Sequence, residues 1–214
     1  MTWLLPKEIK YNAYEEFMDR GDYGDDLSVI CKKFGVQGTL SLLNKMGDEW
    51  EIGVQKLKTA VELASGTYLK NSSKAFSVAA AILSQFRSAA HFIEFTSLRN
   101  EFYDCLDLEN KIAILEKMEA IAHKEKENSE ELMRLLPMEK TLGFHGEAFG
   151  YMYNKKKIDR KLKDLSLMME SELLPAKQCL QSDFAAKLKV GERKYLTGFA
   201  GTLNGTPNSS SALF

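Results

Sequence analysis

The chain has 214 residues, enough for one large domain or two small ones with a substantial core. Hydrophobic residues make up 44% and charged residues 28%, which excludes an intrinsically disordered chain. The 29 basic and 30 acidic residues nearly cancel, so no overall field favours nucleic acid or an anionic membrane, and neither is expected as a partner.

In chain order, Tyr11, Tyr14, Phe17 and Met18 stand at helical spacing over residues 7–19. The glycines and aspartates of Arg20-Gly21-Asp22-Tyr23-Gly24 then predict a turn. Leu27, Ile30 and Phe34 form a short stripe ending at Gly35. A second short helix is expected from Thr39 to Met46, bounded by Gly38 and Gly47, and a longer one from Asp48 with Trp50, Val54, Leu57, Val61 and Ala64 inside. From Ser73 to Tyr103, Phe76, Ala79, Ala80, Leu83, Phe86, Ala90, Ile93 and Phe95 wrap most of the helix, so residues 76–95 are expected to be the most buried segment.

Asp107 is placed to cap the next helix, whose stripe runs Leu108, Ile112, Leu115, Met118, Ala122, Leu132 and Leu135 before Pro137 ends it. The charged run Lys124 to Asn128 reads as a solvated face, with Glu125, Glu127, Glu130 and Glu131 turned to water. Met138 to Tyr153 lose the helical period. Asn154 is placed to cap a last long helix carrying Ile158, Leu162, Leu165, Met168 and Leu173, which Pro175 kinks or restarts. The expected fold is therefore all-α, a bundle of about six or seven helices over residues 1–190. Residues 191–214, rich in Gly, Ser, Asn and Thr, are expected to be a disordered tail or the remnant of a following β segment, as in a truncated fragment.

Cys31, Cys105 and Cys179 are spaced too widely for a CxxC metal site and read as buried free thiols within the helical pattern. The opening Trp3-Leu4-Leu5, cut by Pro6, is too short for a secretory core. No run approaches the ~20 apolar residues of a membrane span. A cytoplasmic location follows by default. No nucleophile elbow, phosphate-cradling loop or dinucleotide fingerprint occurs, so neither a nucleotide enzyme nor a nucleophilic hydrolase is expected and no cofactor is called for.

Two features invite a functional reading. Arg87, His91 and Glu94 lie one turn apart on an otherwise greasy helix, as a polar patch within the bundle or against a neighbouring domain. His145 and Glu147 sit among Gly143, Gly146 and Gly150, where backbone can approach a ligand and Tyr151 or Tyr153 can serve as a stacking platform; the alternative is a structural plug. His-x-Glu by itself falls short of the three or four protein ligands that zinc needs, and no metal is expected.

Three stretches, in order, resemble the helical region that follows the catalytic barrel in some large bacterial glycoside hydrolase-like proteins, the α-glucuronidase and hexosaminidase-related group. They are Gly21-Asp22-Tyr23-Gly24-Asp25-Asp26-Leu27, then Ala90-His91-Phe92-Ile93 with Arg99-Asn100-Glu101-Phe102-Tyr103, then Leu142-Gly143-Phe144-His145-Gly146-Glu147-Ala148 with Tyr151-Met152-Tyr153. The alternating strands and helices of a (β/α)₈ barrel are missing from this sequence. The resemblance therefore implies a non-catalytic accessory module, inactive alone, whose partner is a catalytic barrel and which also contacts carbohydrate. It implies that His145, Glu147, Tyr151 and Tyr153 form a substrate-binding or domain-interface site. The competing expectation is a free-standing helical domain for protein–protein interaction.

Overall fold

The structure is a computed structural model and describes residues 27–145 and 150–182. Over these residues the fold is all-α apart from one short hairpin. Helix α1 is Leu27–Ile30, α2 Gly35–Leu63, α3 Gly66–Asp104, α4 Leu108–Leu135 and α5 Lys155–Met168. A π-helical turn, Met169–Leu173, carries α5 into α6, Leu174–Gln181, with right-handed helical dihedrals at Met168 and Leu174 on either side. Taken as continuous rods, with α5 to α6 as one, the described residues hold five helices. The segment 7–19, the turn at 20–24, the end of the last helix past residue 182 and the tail lie outside the described residues.

The end signals read from sequence operate as expected in two places. Asp107 Oδ2 accepts the Asn110 amide at 2.8 Å at the start of α4, and Asn154 Oδ1 accepts the Lys157 amide at 3.0 Å at the start of α5. The wider turns of the π segment come just before Pro175, whose ring cannot share the ordinary α hydrogen-bond ladder. The proline thus re-times the helix without ending it.

Two boundaries differ: α3 starts at Gly66, seven residues before the expected Ser73, and two expected helices are one. Thr39–Met46 and the helix expected from Asp48 are a single 29-residue helix, α2, running through Gly38 and Gly47. A glycine inside a helix costs about 1 kcal/mol relative to alanine, which a long helix with a packed face absorbs. Gly47 also has a packing role: a Cβ there would stand 3.1 Å from the Arg87 guanidinium, which lies against this stretch of α2.

The chain divides into two compact units whose boundaries fall inside helices. Over the described residues, one unit comprises 27–39, 93–122 and 166–182, and the other 40–92, 123–145 and 150–165. In the first, Leu98 and Phe102 of α3, Ile114, Leu115 and Met118 of α4, and Leu173, Ala176 and Leu180 are buried. Lys177 pairs with Glu116 and Glu119 at 3.4 and 3.3 Å, and the Lys111 ammonium lies 4.8 Å from the Phe102 ring centroid. Burial pushes the Tyr103 phenol up to about 12, helped by Glu172 and opposed by Arg99.

In the second unit Ala81, Leu132, Leu135, Leu142 and Ile158 form a core. Phe76, Ala80, Met133, Leu136, Tyr153 and Leu162 pack around it. Trp50 fixes α2 to α3: its indole donates to the Ala79 carbonyl at 2.8 Å and meets Phe86 edge-on at 6.1 Å, while its outer edge stays exposed. Within 76–95 only Val78 and Gln85 are exposed, yet the largest fully buried apolar side chains, Leu115, Met118 and Leu135, all belong to α4. The deepest burial therefore lies on α4, while 76–95 is covered on most sides to moderate depth. No helix among the described residues is long and apolar enough to cross a membrane.

Candidate functional site: the Glu125 cluster and the Phe144 hairpin

Ser84, Ser88 and His91 are four and three residues apart on α3, and Glu125, Asn128 and Ser129 fall within one turn of α4. Each set forms one stripe of its helix. Where the stripes meet, Glu125 is buried and not solvated as its charged neighbours suggested. Its Oε1 accepts from Ser88 Oγ at 2.6 Å, from Ser129 Oγ at 3.3 Å and from the Lys161 ammonium of α5, and its Oε2 is 2.7 Å from His91 Nδ1. Asn128 Nδ2 donates to the Ser84 carbonyl at 3.0 Å and to Ser88 Oγ at 3.1 Å. Burial alone pushes the Glu125 carboxyl up, but the His91 hydrogen bond, the Lys161 charge and the remaining donors outweigh it and hold the group at about 2.

This arrangement resolves the polar patch on α3. His91 is spent on Glu125 inside the unit, and Arg87, one turn earlier, reaches Asp48 and Glu51 of α2 at 2.8 and 2.9 Å. The cluster contains a serine, a histidine and a carboxylate, yet the Ser88 hydroxyl is directed at Glu125 and not at His91. A carboxylate held so far towards its ionised form is a weak proton acceptor at neutral pH. The geometry clasps three helices together.

The other feature is the hairpin, β1 Phe144–His145 and β2 Gly150–Tyr151, in antiparallel register with Phe144 opposite Tyr151 and His145 opposite Gly150. It is pinned at its base. Gly143 has φ +78°, and a Cβ there would come within 2.2 Å of the Tyr153 carbonyl oxygen and 2.8 Å of its ring, so only glycine fits. Met152 donates its amide to the Gly143 carbonyl at 2.7 Å, Tyr151 its hydroxyl to the Lys140 carbonyl at 3.1 Å, and Lys157 its ammonium to the Tyr151 carbonyl at 2.6 Å. Leu142 is buried beneath, and burial pushes the half-covered Tyr153 phenol up.

Of the residues expected to form a site, Tyr151 faces outward, 43% exposed, while Tyr153 packs inward over Gly143. The backbone of His145 lies in β1, and Glu147 is outside the described residues. The two tyrosines therefore do not share one platform. The aromatic that joins Tyr151 is Phe144, 52% exposed and edge-on to it at 5.5 Å. Sequence reasoning passed over Phe144, though a residue one position from His145 in a two-stranded turn is the natural cross-strand neighbour of Tyr151. It also reads Glu125 as solvated, although Ser84, Ser88 and His91 share one stripe and Glu125, Asn128 and Ser129 another.

Among the described residues no group of three or more His, Cys, Asp or Glu side chains could hold a metal ion. Compared with known proteins, the chain matches no family model, no curated protein and no solved structure.

Proposed function

We propose that the chain is a non-catalytic helical module that works by docking a partner protein through the exposed apolar side of α2 and the α2–α3 junction. The observation that carries this reading is the exposure of large apolar side chains there: Ile52 60%, Leu63 83% and Tyr68 80%, with Leu42, Met46 and Leu69 also exposed. Isolated exposed apolar residues are ordinary, but a concentration on α2 and the first turn of α3 favours an interaction face. The Glu125 carboxylate, both of whose oxygens are taken up by donors within the unit, supports a scaffold in place of a reaction centre. The resemblance to helical regions of glycoside hydrolase-like proteins makes the proposed partner a catalytic barrel acting on carbohydrate. Within this reading the complete bundle has six or seven helices.

The test combines binding and turnover. Size-exclusion chromatography with light scattering of the chain mixed with a glycoside hydrolase-like catalytic barrel should give a stable complex. Ile52→Ser, Leu63→Ser and Tyr68→Ser together should weaken it at least tenfold, about 1.4 kcal/mol. The chain alone should not turn over a panel of aryl glycosides and glucuronides. Turnover abolished by Glu125→Gln or Glu147→Gln would overturn the docking reading, and failure to bind any such barrel would remove the carbohydrate partner.

A further inference from the structure

The outward side of α2 carries a pattern that matches itself when reversed. Leu42, Met46, Glu49, Gly53, Lys56, Ala60 and Leu63 follow one another at alternating steps of four and three residues, so they share one stripe of the helix. All seven are exposed, whereas Gly47 and Val54, on the opposite side of the same stretch, are buried. The whole stripe belongs to one compact unit.

Gly53 stands at the middle of the stripe, with nothing within 4 Å of the place a Cβ would take. Glu49 and Lys56 lie one turn away on either side, Met46 and Ala60 two turns, Leu42 and Leu63 three. A helix laid antiparallel on its own copy and crossing at Gly53 therefore sets Glu49 opposite Lys56, Met46 opposite Ala60 and Leu42 opposite Leu63, each of them twice. Gly53 meets its own copy at the centre, where the missing side chains let the two backbones approach. The exposed Ile52 meets its own copy beside it. A parallel pairing would instead place Glu49 against Glu49 and Lys56 against Lys56, and like charges face to face are unfavourable. Within the chain Glu49 approaches Lys45 at 3.8 Å, a contact between two largely exposed groups that contributes little. The net charge of −1 brings no general repulsion between copies.

We infer that α2 docks on α2 of a second copy of this chain, antiparallel about Gly53. The inference rests on the reading of α2 as the docking face and names a second occupant for it: two copies cover each other's apolar strip, and a barrel displaces one of them. A strip about 30 Å long and ~10 Å wide is smaller than the ~800 Å² per partner of a stable interface, so the dimer is reversible and its population rises with concentration.

The test is sedimentation velocity of the full chain from about 1 to 300 μM, the range in which small interfaces exchange. The wild type should pass from monomer to dimer across it. Glu49→Lys alone, or Lys56→Glu alone, sets like charges opposite each other twice and should weaken association at least about tenfold. Mixing the two single variants restores an opposite charge to both pairs and should bring association back, as should Glu49→Lys with Lys56→Glu in one chain. Gly53→Gln, which keeps the helix but holds the backbones apart, should weaken association several-fold, with circular dichroism confirming that each variant stays folded. A wild type that stays monomeric throughout, single charge variants that associate as well as the wild type, or a mixture that stays monomeric would each overturn the inference. Light scattering of the same preparations with a barrel separates the two readings. A monomeric wild type that still binds a barrel loses only the second copy as occupant, and a dimer that no barrel displaces loses only the barrel.

Discussion

A carboxylate taken out of water destabilises a fold unless its oxygens are given donors, and Glu125 is given four: Ser88, Ser129, His91 and Lys161. Removing the charge while leaving those donors in place should therefore cost more than removing an exposed glutamate. Glu125→Gln should lower the unfolding free energy by about 2–4 kcal/mol at pH 7, read from urea denaturation. The pH dependence follows from the same bonds. Glu125 sits at about 2 in the folded chain against 4.5 for an ordinary glutamate, so the folded state takes up its proton later than the unfolded state. The resulting stabilisation, about 3 kcal/mol, is full above pH 4.5 and disappears as pH falls through 2. The gap between the wild type and Glu125→Gln should then close progressively on acidification over that range. A gap that stays constant would mean that the cluster does not hold the charge.

At the scale of the elements, helical periodicity located α3, α4 and α5 and the two caps, because apolar stripes and Asp or Asn caps are local properties of the sequence. The continuity of α2 was not legible. Gly38 and Gly47 look like breakers when read locally, and only the Arg87 guanidinium, forty residues further on, shows what the second of them is for. The same distinction separates two otherwise similar substitutions on this helix. Gly53 has open space where a Cβ would go, so Gly53→Ala should stabilise the protein by about 0.5–1 kcal/mol through helix propensity alone. At Gly47 that gain is offset, because the new methyl group must displace a guanidinium that bonds both Asp48 and Glu51. Gly47→Ala should be neutral or destabilising. Thermal melts of the two variants decide it, and an equal rise in Tm would show that Arg87 moves aside at no cost.

At the scale of the molecule, the all-α class was legible and the division into two units was not. Unit boundaries are usually read from linkers, yet here they fall inside α2, α3, α4 and α5, where composition and periodicity do not change. The hairpin was legible as a departure from helix but not in its orientation, because which tyrosine turns inward depends on the positive φ at Gly143. The cysteines show the same limit, since spacing suggested three buried thiols inside helical patterns. Cys31 is buried, at 2% exposure. Cys105 lies in the α3–α4 connection, partly buried, with its thiol 3.4 Å from the Asp107 carbonyl, and Cys179 of α6 is likewise only partly buried. All three are free thiols, so a disulfide reagent can count them without prior reduction. Reaction with a thiol-specific chromogenic disulfide at neutral pH should release two equivalents quickly from the native protein. The third should follow only as the protein opens, because a thiolate must reach the reagent before exchange can occur. Cys31→Ser should remove the slow phase and leave the fast one, and urea should accelerate the slow phase in step with unfolding measured by circular dichroism. Three thiols reacting together in the native protein would show that the packing around Cys31 does not persist in solution.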